Sequence, residues 1–271
     1  MRYDTIKGPL GRFFNTTPAM RVFFYRLLDL LLLRSWHIRM QLVKWANDRR
    51  NLTVLDAGSG FGQYVYFMSR SKWNWMVKGV DVKQEQIEDC NRFFSAIGRN
   101  GRVKFEYADL TAFSEPDTYD LVLSVDVMEH IEEDEKVFSN FYKSMKNDGL
   151  LLISTPSDQG GSDTHDHQEG EVKGFIEEHV RDGYNIHDIS DKLVRAGFKN
   201  VRAMYTYGTP GKISWRLSMK YPILMLNISK LFFVLLPFYY LVFFPVCLVL
   251  NWLDVKFPHR TGTGLMVMAQ K

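Results

Sequence analysis

The chain has 271 residues, 46% hydrophobic and 24% charged, a size and composition that suit one well-packed α/β domain with elaborations. Its two cysteines, Cys90 and Cys247, lie far apart and outside any CxxC spacing, which excludes a disulfide framework and a thiolate zinc site and suits a reducing compartment. The net charge of +3 is spread unevenly: residues 1–50 hold ten Lys/Arg against three Asp/Glu, residues 210–262 six against one, and the stretch between them seventeen against twenty-seven.

The first residues, MRYDTIKGPLGRFF, lack a basic segment leading directly into an apolar one, so no secretory signal is expected. The two basic segments are also the most apolar, a combination that points to anionic lipid surfaces. Nucleic acid is not expected as a partner, because no polar surface interleaves basic and aromatic residues. Residues 20–45 read as one or two amphipathic helices carrying Arg21, Arg26, Arg34, Arg39 and Lys44, within a basic N-terminal cap over residues 1–50.

From Asn51 the pattern changes to short apolar strands separated by helical stretches. The predicted strands are Thr53–Asp56, Val77–Val80, Val103–Tyr107, Leu121–Ser124, Leu150–Ser154, Val201–Tyr207 and Leu265–Ala269. Helices are predicted over Lys83–Ala96 and Glu132–Met145, and over Ile186–Ala196 with Asn185 as N-cap and Gly197 closing it. This alternation predicts an α/β, doubly wound and mostly parallel sheet. The core spans 51–209, residues 210–262 form an apolar insertion, and 263–271 supply the last strand. Residues 157–171 are polar and predict a mobile loop. Within them His165, His167 and Glu169 alternate, but the Gly/Asp/Ser-rich flanks have no strand character and no H-x3-H pair appears, so no metal is expected.

The motif VLDAGSGFGQY, residues 54–64, ends a strand at Asp56 and places Gly58, Gly60 and Gly62 where backbone must turn tightly under a ligand. A dinucleotide fingerprint would need glycine where Gln63 stands, and an acid ending the strand suits a cationic ligand better than a pyrophosphate. Asp81 ends the second strand, where a carboxylate accepts hydrogen bonds from ribose hydroxyls. Asp109 follows the third and is placed to accept one from an exocyclic adenine amine. Together they describe a nucleoside pocket with an electronegative end.

Here the chain resembles class I S-adenosylmethionine-dependent methyltransferases, especially the ubiquinone/menaquinone-biosynthesis-like group. The resemblance rests on VLDAGSGFG, GVDVKQEQI, EYADL, YDLVLSVDVMEHI (119–131) and MKNDGLLLISTP (145–156), with Asn147-Asp148-Gly149 standing where the family usually has a Pro-Gly-Gly turn. It implies a Rossmann-like, seven-stranded sheet and S-adenosyl-L-methionine as cofactor. The cofactor contacts it implies are Asp56, Gly58, Ser59 and Gly60, then Asp81 and Val82, Asp109 and Leu110, and Ser124 and Asp126. For the acceptor side, His130 just past the fourth strand is expected to orient the acceptor or take its proton, with Glu129 a structural partner or a second acid. His179, Arg181 and Tyr184, before the helix that leads to strand six, are expected at the same mouth.

Residues 231–250, LFFVLLPFYYLVFFPVCLVL, hold no charge and are long enough to cross a bilayer as a helix. In the resembled fold, however, strands six and seven are antiparallel neighbours, so the chain must leave and re-enter at one end of the sheet, the cofactor edge. Pro237 and Pro245 are expected to kink or break a helix there. These points favour a monotopic or re-entrant insertion beside the acceptor pocket, with Lys212, Arg216, Lys220, Lys256 and Arg260 near lipid headgroups. The expectation is a methyltransferase at the cytoplasmic face of a membrane, acting on a hydrophobic lipid, quinone or isoprenoid-like acceptor. Its alternatives are an enzyme for a soluble hydrophobic metabolite with the insertion as homodimer interface or lid, a non-catalytic membrane-anchored binding module, and, more remotely, an NAD-dependent reductase.

Overall fold

Seven apolar runs form one sheet: β1 (Thr53–Ala57), β2 (Met76–Asp81), β3 (Val103–Tyr107), β4 (Tyr119–Val125), β5 (Met145–Pro156), β6 (Lys199–Thr206) and β7 (Gly264–Gln270). Their order is β3-β2-β1-β4-β5-β7-β6, and β3-β2, β2-β1, β1-β4 and β4-β5 pair in parallel. The computed structural model describes residues 17–70, 72–160 and 180–271. The central strands are near-continuous buried apolar runs, such as Leu121–Leu123 and Leu150–Ile153, the pattern of strands covered on both faces. Strand order reverses between β1 and β4, and in open sheets that reversal opens a crevice at the carboxyl ends of the strands.

The described residues divide into two compact units: 41–158, 180–204 and 265–271, and 17–40, 159–160 and 205–264. The sequence boundaries at 50/51, 209/210 and 262/263 stand ten, five and two residues from those of the units. At the N-terminal boundary the reason is packing, since Trp45 meets Trp75 edge-on at 6.2 Å inside the sheet unit.

In the sheet unit the connecting helices are α3 (Gln63–Met68), α4 (Gln84–Ala96), α5 (Asp134–Ser144) and α6 (Ile186–Arg195), after α1 (Pro18–Leu31) and α2 (Leu33–Ala46) earlier in the chain. Helix α4 buries Ile87, Cys90, Phe93 and Phe94, one stripe at helical spacing. Asn185 caps α6 as expected, its side chain accepting from the N–H groups of His187 and Asp188, and Gly197 closes it at φ +106°. The Asn147-Asp148-Gly149 turn lies inside β5 as a bulge: pairing with β4 jumps from Tyr119↔Met145 to Leu121↔Leu150, and Asp148 takes φ +62°.

The second unit is helical. Helix α1 is capped by the Thr17 hydroxyl and breaks at Leu32 before α2. Of the five basic residues read into these helices, Arg21 does not face water; it is buried with its Nε on the Tyr25 hydroxyl at 2.7 Å. Residues 205–264 hold α7 (Thr209–Trp215), a π-helical turn (Arg216–Lys220), α8 (Tyr221–Ile228), a 3-10 turn (Lys230–Val234) and α9 (Leu236–Lys256). Pro222 has no N–H for the Ser218 carbonyl, which instead accepts from the Tyr240 hydroxyl at 2.8 Å, and the Leu217 carbonyl accepts from Tyr239 at 2.8 Å. Ser229 adopts an extended conformation that ends α8, and its hydroxyl accepts from the Leu231 N–H.

The expectation that Pro237 and Pro245 would kink or break a helix here holds at Pro237, where the 3-10 turn interrupts the apolar run and a new helix starts at Leu236, and does not hold as a break at Pro245. Pro237 falls in the first turn of α9, where no N–H is needed, and Pro245 lies inside an unbroken 21-residue helix. Ties on both sides of Pro245 hold the helix in place: the tyrosine hydroxyls before it, and Ser214 donating to Asn251 Oδ1 at 2.6 Å after it.

Candidate active site

The chain leaves β1 through a glycine loop whose three glycines all take positive φ: Gly58 +81°, Gly60 +52° and Gly62 +82°. At Gly58 the constraint is also steric, because a Cβ would lie 2.2 Å from a Val127 methyl on the segment after β4. The loop is thereby pressed onto the segment after β4.

Asp81, at the end of β2, closes the loop. Its Oδ2 accepts from the Gly60 N–H at 2.9 Å and its Oδ1 from the Lys83 N–H at 3.0 Å. Asp56 is 1% exposed, and burial, then the negative charge of Asp81, push its carboxyl up to about 8. Its Oδ2 has no hydrogen-bond partner, and neither does the buried Oγ of Ser59 or of Ser124. Unpartnered buried polar atoms are rare and call for an explanation; these three gather at the carboxyl ends of β1 and β4, where a ligand would satisfy them.

Asp109 serves a turn as well as the edge. Its Oδ1 accepts from both the N–H and the hydroxyl of Thr111, at 2.9 and 2.8 Å, which holds the exposed carboxyl below the usual range. Leu110 is buried, its carbonyl taken by the Asn140 amide. Val82 and Tyr107 are 56% and 62% exposed although apolar, and they stand at the ends of β2 and β3. Tyr107, read from the sequence only as the end of a strand, is an exposed aromatic side chain in the last strand position before an acid-bearing turn.

After β4, Asp126 takes φ +51° and gives its N–H to the Ser154 carbonyl at 2.8 Å. A 3-10 turn, Met128–His130, follows and leaves the imidazole of His130 half-buried at the same sheet edge. Glu129 is buried and accepts from the Thr155 hydroxyl at 3.2 Å.

Tyr184, expected at the acceptor mouth, is packed inside. Its hydroxyl lies 2.8 Å from Asp134 Oδ2 and 3.1 Å from the Met128 carbonyl, and it accepts from Arg181 at 2.9 Å. Burial, then the Asp134 hydrogen bond, push the phenol far up, so a proton-accepting role does not fit it. Arg181 is likewise engaged in this cluster. His179, His165 and His167 lie outside the described residues.

A family model described as a methyltransferase domain matches residues 54–149, the glycine loop through the bulge of β5. Among curated relatives, a phosphoethanolamine N-methyltransferase of Triticum aestivum is 31% identical over 55% of this chain and 28% of its own length. A ubiquinone biosynthesis O-methyltransferase of Rickettsia conorii is 30% identical over 44% of this chain and 39% of its own. The chain thus spans well under half the length of these relatives.

The fold matches solved structures across most of the chain. The Haemonchus contortus phosphoethanolamine N-methyltransferase 2, in complex with S-adenosyl-L-methionine, superposes with a TM-score of 0.60 at 18% identity, covering 87% of this chain and 52% of that one. A sarcosine dimethylglycine methyltransferase of Galdieria sulphuraria gives 0.54 at 15% identity, over 86% and 85%. The Rossmann-like fold expected from the sequence is the fold observed, while a quinone-biosynthesis enzyme, the subgroup resembled, matches in part alongside several phosphoethanolamine enzymes.

Proposed function

We propose that the chain transfers a methyl group from S-adenosyl-L-methionine to an amphiphilic acceptor presented at the cytoplasmic face of a membrane. The observation that carries the cofactor assignment is the cluster of unpartnered Asp56, Ser59 and Ser124 atoms beside the doubly held Asp81. Each Asp81 oxygen has accepted one N–H and keeps a lone pair for one hydroxyl of a ribose diol. Val82 and Tyr107 offer apolar faces to an adenine ring, and Asp109 Oδ2, outside the Thr111 turn, is open to its amino group. A cationic amino-acid end beside Asp56 offsets the burial that keeps that carboxyl protonated.

When bound, the cofactor supplies an electrophilic methyl group on a sulfonium. The residues of this chain exclude water and align the acceptor, which lowers the barrier by fixing the reacting atoms in line. Where the acceptor is an amine or hydroxyl, a ring nitrogen of His130 takes its proton.

The membrane reading is supported by the helical unit. Among the described residues, α9 is the helix long and apolar enough to cross a bilayer, and 11% of its most apolar stretch is buried. Leu231 and Phe233, at the turn between α8 and α9, are 77% and 71% exposed. Exposed apolar surface on this scale marks an interaction site, and beyond this turn, whose one charge is Lys230, the exposed Lys256 and Arg260 stand at the far end of α9. A helical hairpin whose arms lead back to β6 and β7 suits entry into one leaflet without crossing, with anionic headgroups against the basic base.

The names of the relatives favour a second acceptor, phosphoethanolamine in solution. Purified protein is incubated with labelled cofactor and either vesicles of native lipid extract or phosphoethanolamine, and the labelled product is identified by mass spectrometry. A labelled lipid upholds the proposal. Label in phosphoethanolamine alone keeps methyl transfer and overturns the membrane acceptor, and no label in either overturns the enzyme reading in favour of a binding module. A stable dimer that ignores vesicles would assign the apolar surface to a second copy of the chain.

A further inference from the structure

The turn that carries His130 is held from outside by one short segment. The Glu129 carbonyl accepts from the N–H groups of Val180 and Arg181, at 3.1 and 3.3 Å. The Ile131 and Glu132 carbonyls accept from Arg181 Nη2, at 2.7 and 3.2 Å, and the Met128 carbonyl lies 3.1 Å from the Tyr184 hydroxyl. The carbonyls immediately before and after residue 130 are thus tied to residues 180–184, on both sides of the imidazole.

The segment that does the holding is itself clamped. Arg181 Nη1 bonds Asp134 Oδ2, which also takes Lys192 at 2.9 Å and the Tyr184 hydroxyl at 2.8 Å, and Asp134 opens α5 just after the turn. The Arg181 guanidinium lies 4.8 Å from the Tyr184 ring centroid. One planar group therefore serves two carbonyls, a carboxylate, a phenol and a ring face at once. The fork of a guanidinium reaches this set, and the single ammonium of a lysine does not.

We propose that Arg181 is a positioning residue for His130: it fixes the 128–132 turn so that the imidazole keeps one orientation at the sheet edge. Asp134 and Tyr184 act through it by locking the guanidinium. The catalytic consequence rests on the methyl-transfer reading above, while the structural one stands without it. A short polar tie is a control point because displacement of a catalytic group by about 1 Å costs on the order of a hundredfold in rate.

The test compares wild type with Arg181→Ala, Arg181→Lys and Tyr184→Phe, with Arg195→Ala as a control for loss of an exposed ion pair. In R181A, kcat is expected to fall about a hundredfold with cofactor KM unchanged, and added methylguanidinium is expected to restore much of it. R181K is expected to fall between, and R195A to match wild type. Independently of activity, the ring signals of His130 in histidine-labelled protein, assigned with His130→Asn, are expected to shift and broaden in R181A while those of His37, His187 and His259 stay. Unmoved His130 signals, or an unchanged kcat, overturn the proposal. If wild type methylates nothing, the function above falls and the ring signals still decide the positioning. If R181A does not fold, R181K and Y184F carry the same readouts.

Discussion

Asp254 Oδ1 lies 2.7 Å from Nε2 of His37, 217 residues away in sequence, and both side chains are buried. The carboxylate also accepts from the N–H groups of Tyr207 at 3.1 Å and Gly211 at 2.9 Å, and His259 Nε2 stands 3.2 Å from Oδ2. A single acid near the end of the apolar helix α9 thus ties α2, the start of α7 and the segment before β7 into the helical unit. Removing one partner of a buried pair costs about 3–5 kcal/mol, so His37→Ala is expected to lower the melting temperature by several degrees or more. Asp254→Asn keeps the shape but turns an amide N–H toward a backbone N–H, an unmet donor worth about 1–3 kcal/mol. Burial pushes the Asp254 carboxyl up, but the hydrogen bond and charge of His37, the charge of His259 and the Gly211 N–H more than offset it, leaving it below its ordinary value. Its stabilisation is therefore present above the unfolded carboxylate pKa of about 4 and lost as pH falls through the lower folded value. Melts between pH 3 and 7 should show a wild-type decline in acid that D254N flattens.

Asp56 has the opposite linkage. Its carboxyl is pushed up to about 8, so the folded chain binds a proton that the unfolded chain releases near pH 4. Stability contributed by this group is full below the unfolded value and declines as pH rises from about 4 toward 8. Asp56→Asn should melt higher than wild type at pH 8 and nearly equal at pH 4, while binding the cofactor at least about tenfold more weakly. Calorimetric titration at pH 7 in buffers of different ionisation enthalpy should register proton release from wild type on binding a cationic cofactor, and none from D56N. Equal melting at both pH values would show that Asp56 is ionised in the free protein.

Gly58 combines a left-handed φ of +81° with a Val127 methyl 2.2 Å from where a Cβ would sit. Gly58→Ala must shift the loop or β4, a strain of about 1–3 kcal/mol for a disfavoured backbone plus the overlap. Cofactor binding should be lost with a fall in melting temperature. Gly58→Ala with Val127→Ala relieves the overlap but not the φ, so partial recovery of stability is expected. Recovery to wild-type affinity in the double variant would assign the effect to crowding alone.

What the sequence made legible follows from where its signals are local. Strands β1, β4 and β5 are buried on both faces, so each reads as an apolar run with little ambiguity, and Asn185 and Gly197 mark the ends of α6 by cap chemistry alone. The glycine loop and Asp81 were visible because tight turns and strand-terminal acids leave residue-type traces. Tyr184 was misplaced because a tyrosine before a helix looks the same whether it faces a pocket or Asp134, 50 residues away. That α9 runs unbroken through Pro245 was hidden for a similar reason: the hydroxyls of Tyr239, Tyr240 and Ser214 that hold α9 against α7 and the π-helical turn act between residues 22 to 37 apart. The Asp254 hub left no local trace at all, since an isolated acid at the end of an apolar run resembles a solvated helix end.

The turn between α8 and α9 decides whether the helical unit enters lipid. Leu231, Phe233, Val234 and Phe238 are exposed there, and none is needed to hold the arms together, which are joined through Tyr239, Tyr240, Ser214 and Asn251. A charge near the centre of a bilayer costs about 2.5–3.5 kcal/mol on insertion scales, and less nearer the interface. Phe233→Glu with Phe238→Glu should therefore reduce binding to vesicles by at least about tenfold, while the melting temperature of detergent-solubilised protein stays within about a degree or two. Binding should rise with the anionic lipid fraction and weaken in salt, because Lys256 and Arg260 are exposed at the base. Reversing both, Lys256→Glu with Arg260→Glu, should remove the salt dependence and leave the apolar contribution. Co-sedimentation with vesicles measures all three, and unchanged binding of the double-glutamate tip variant would sink the leaflet-entry reading.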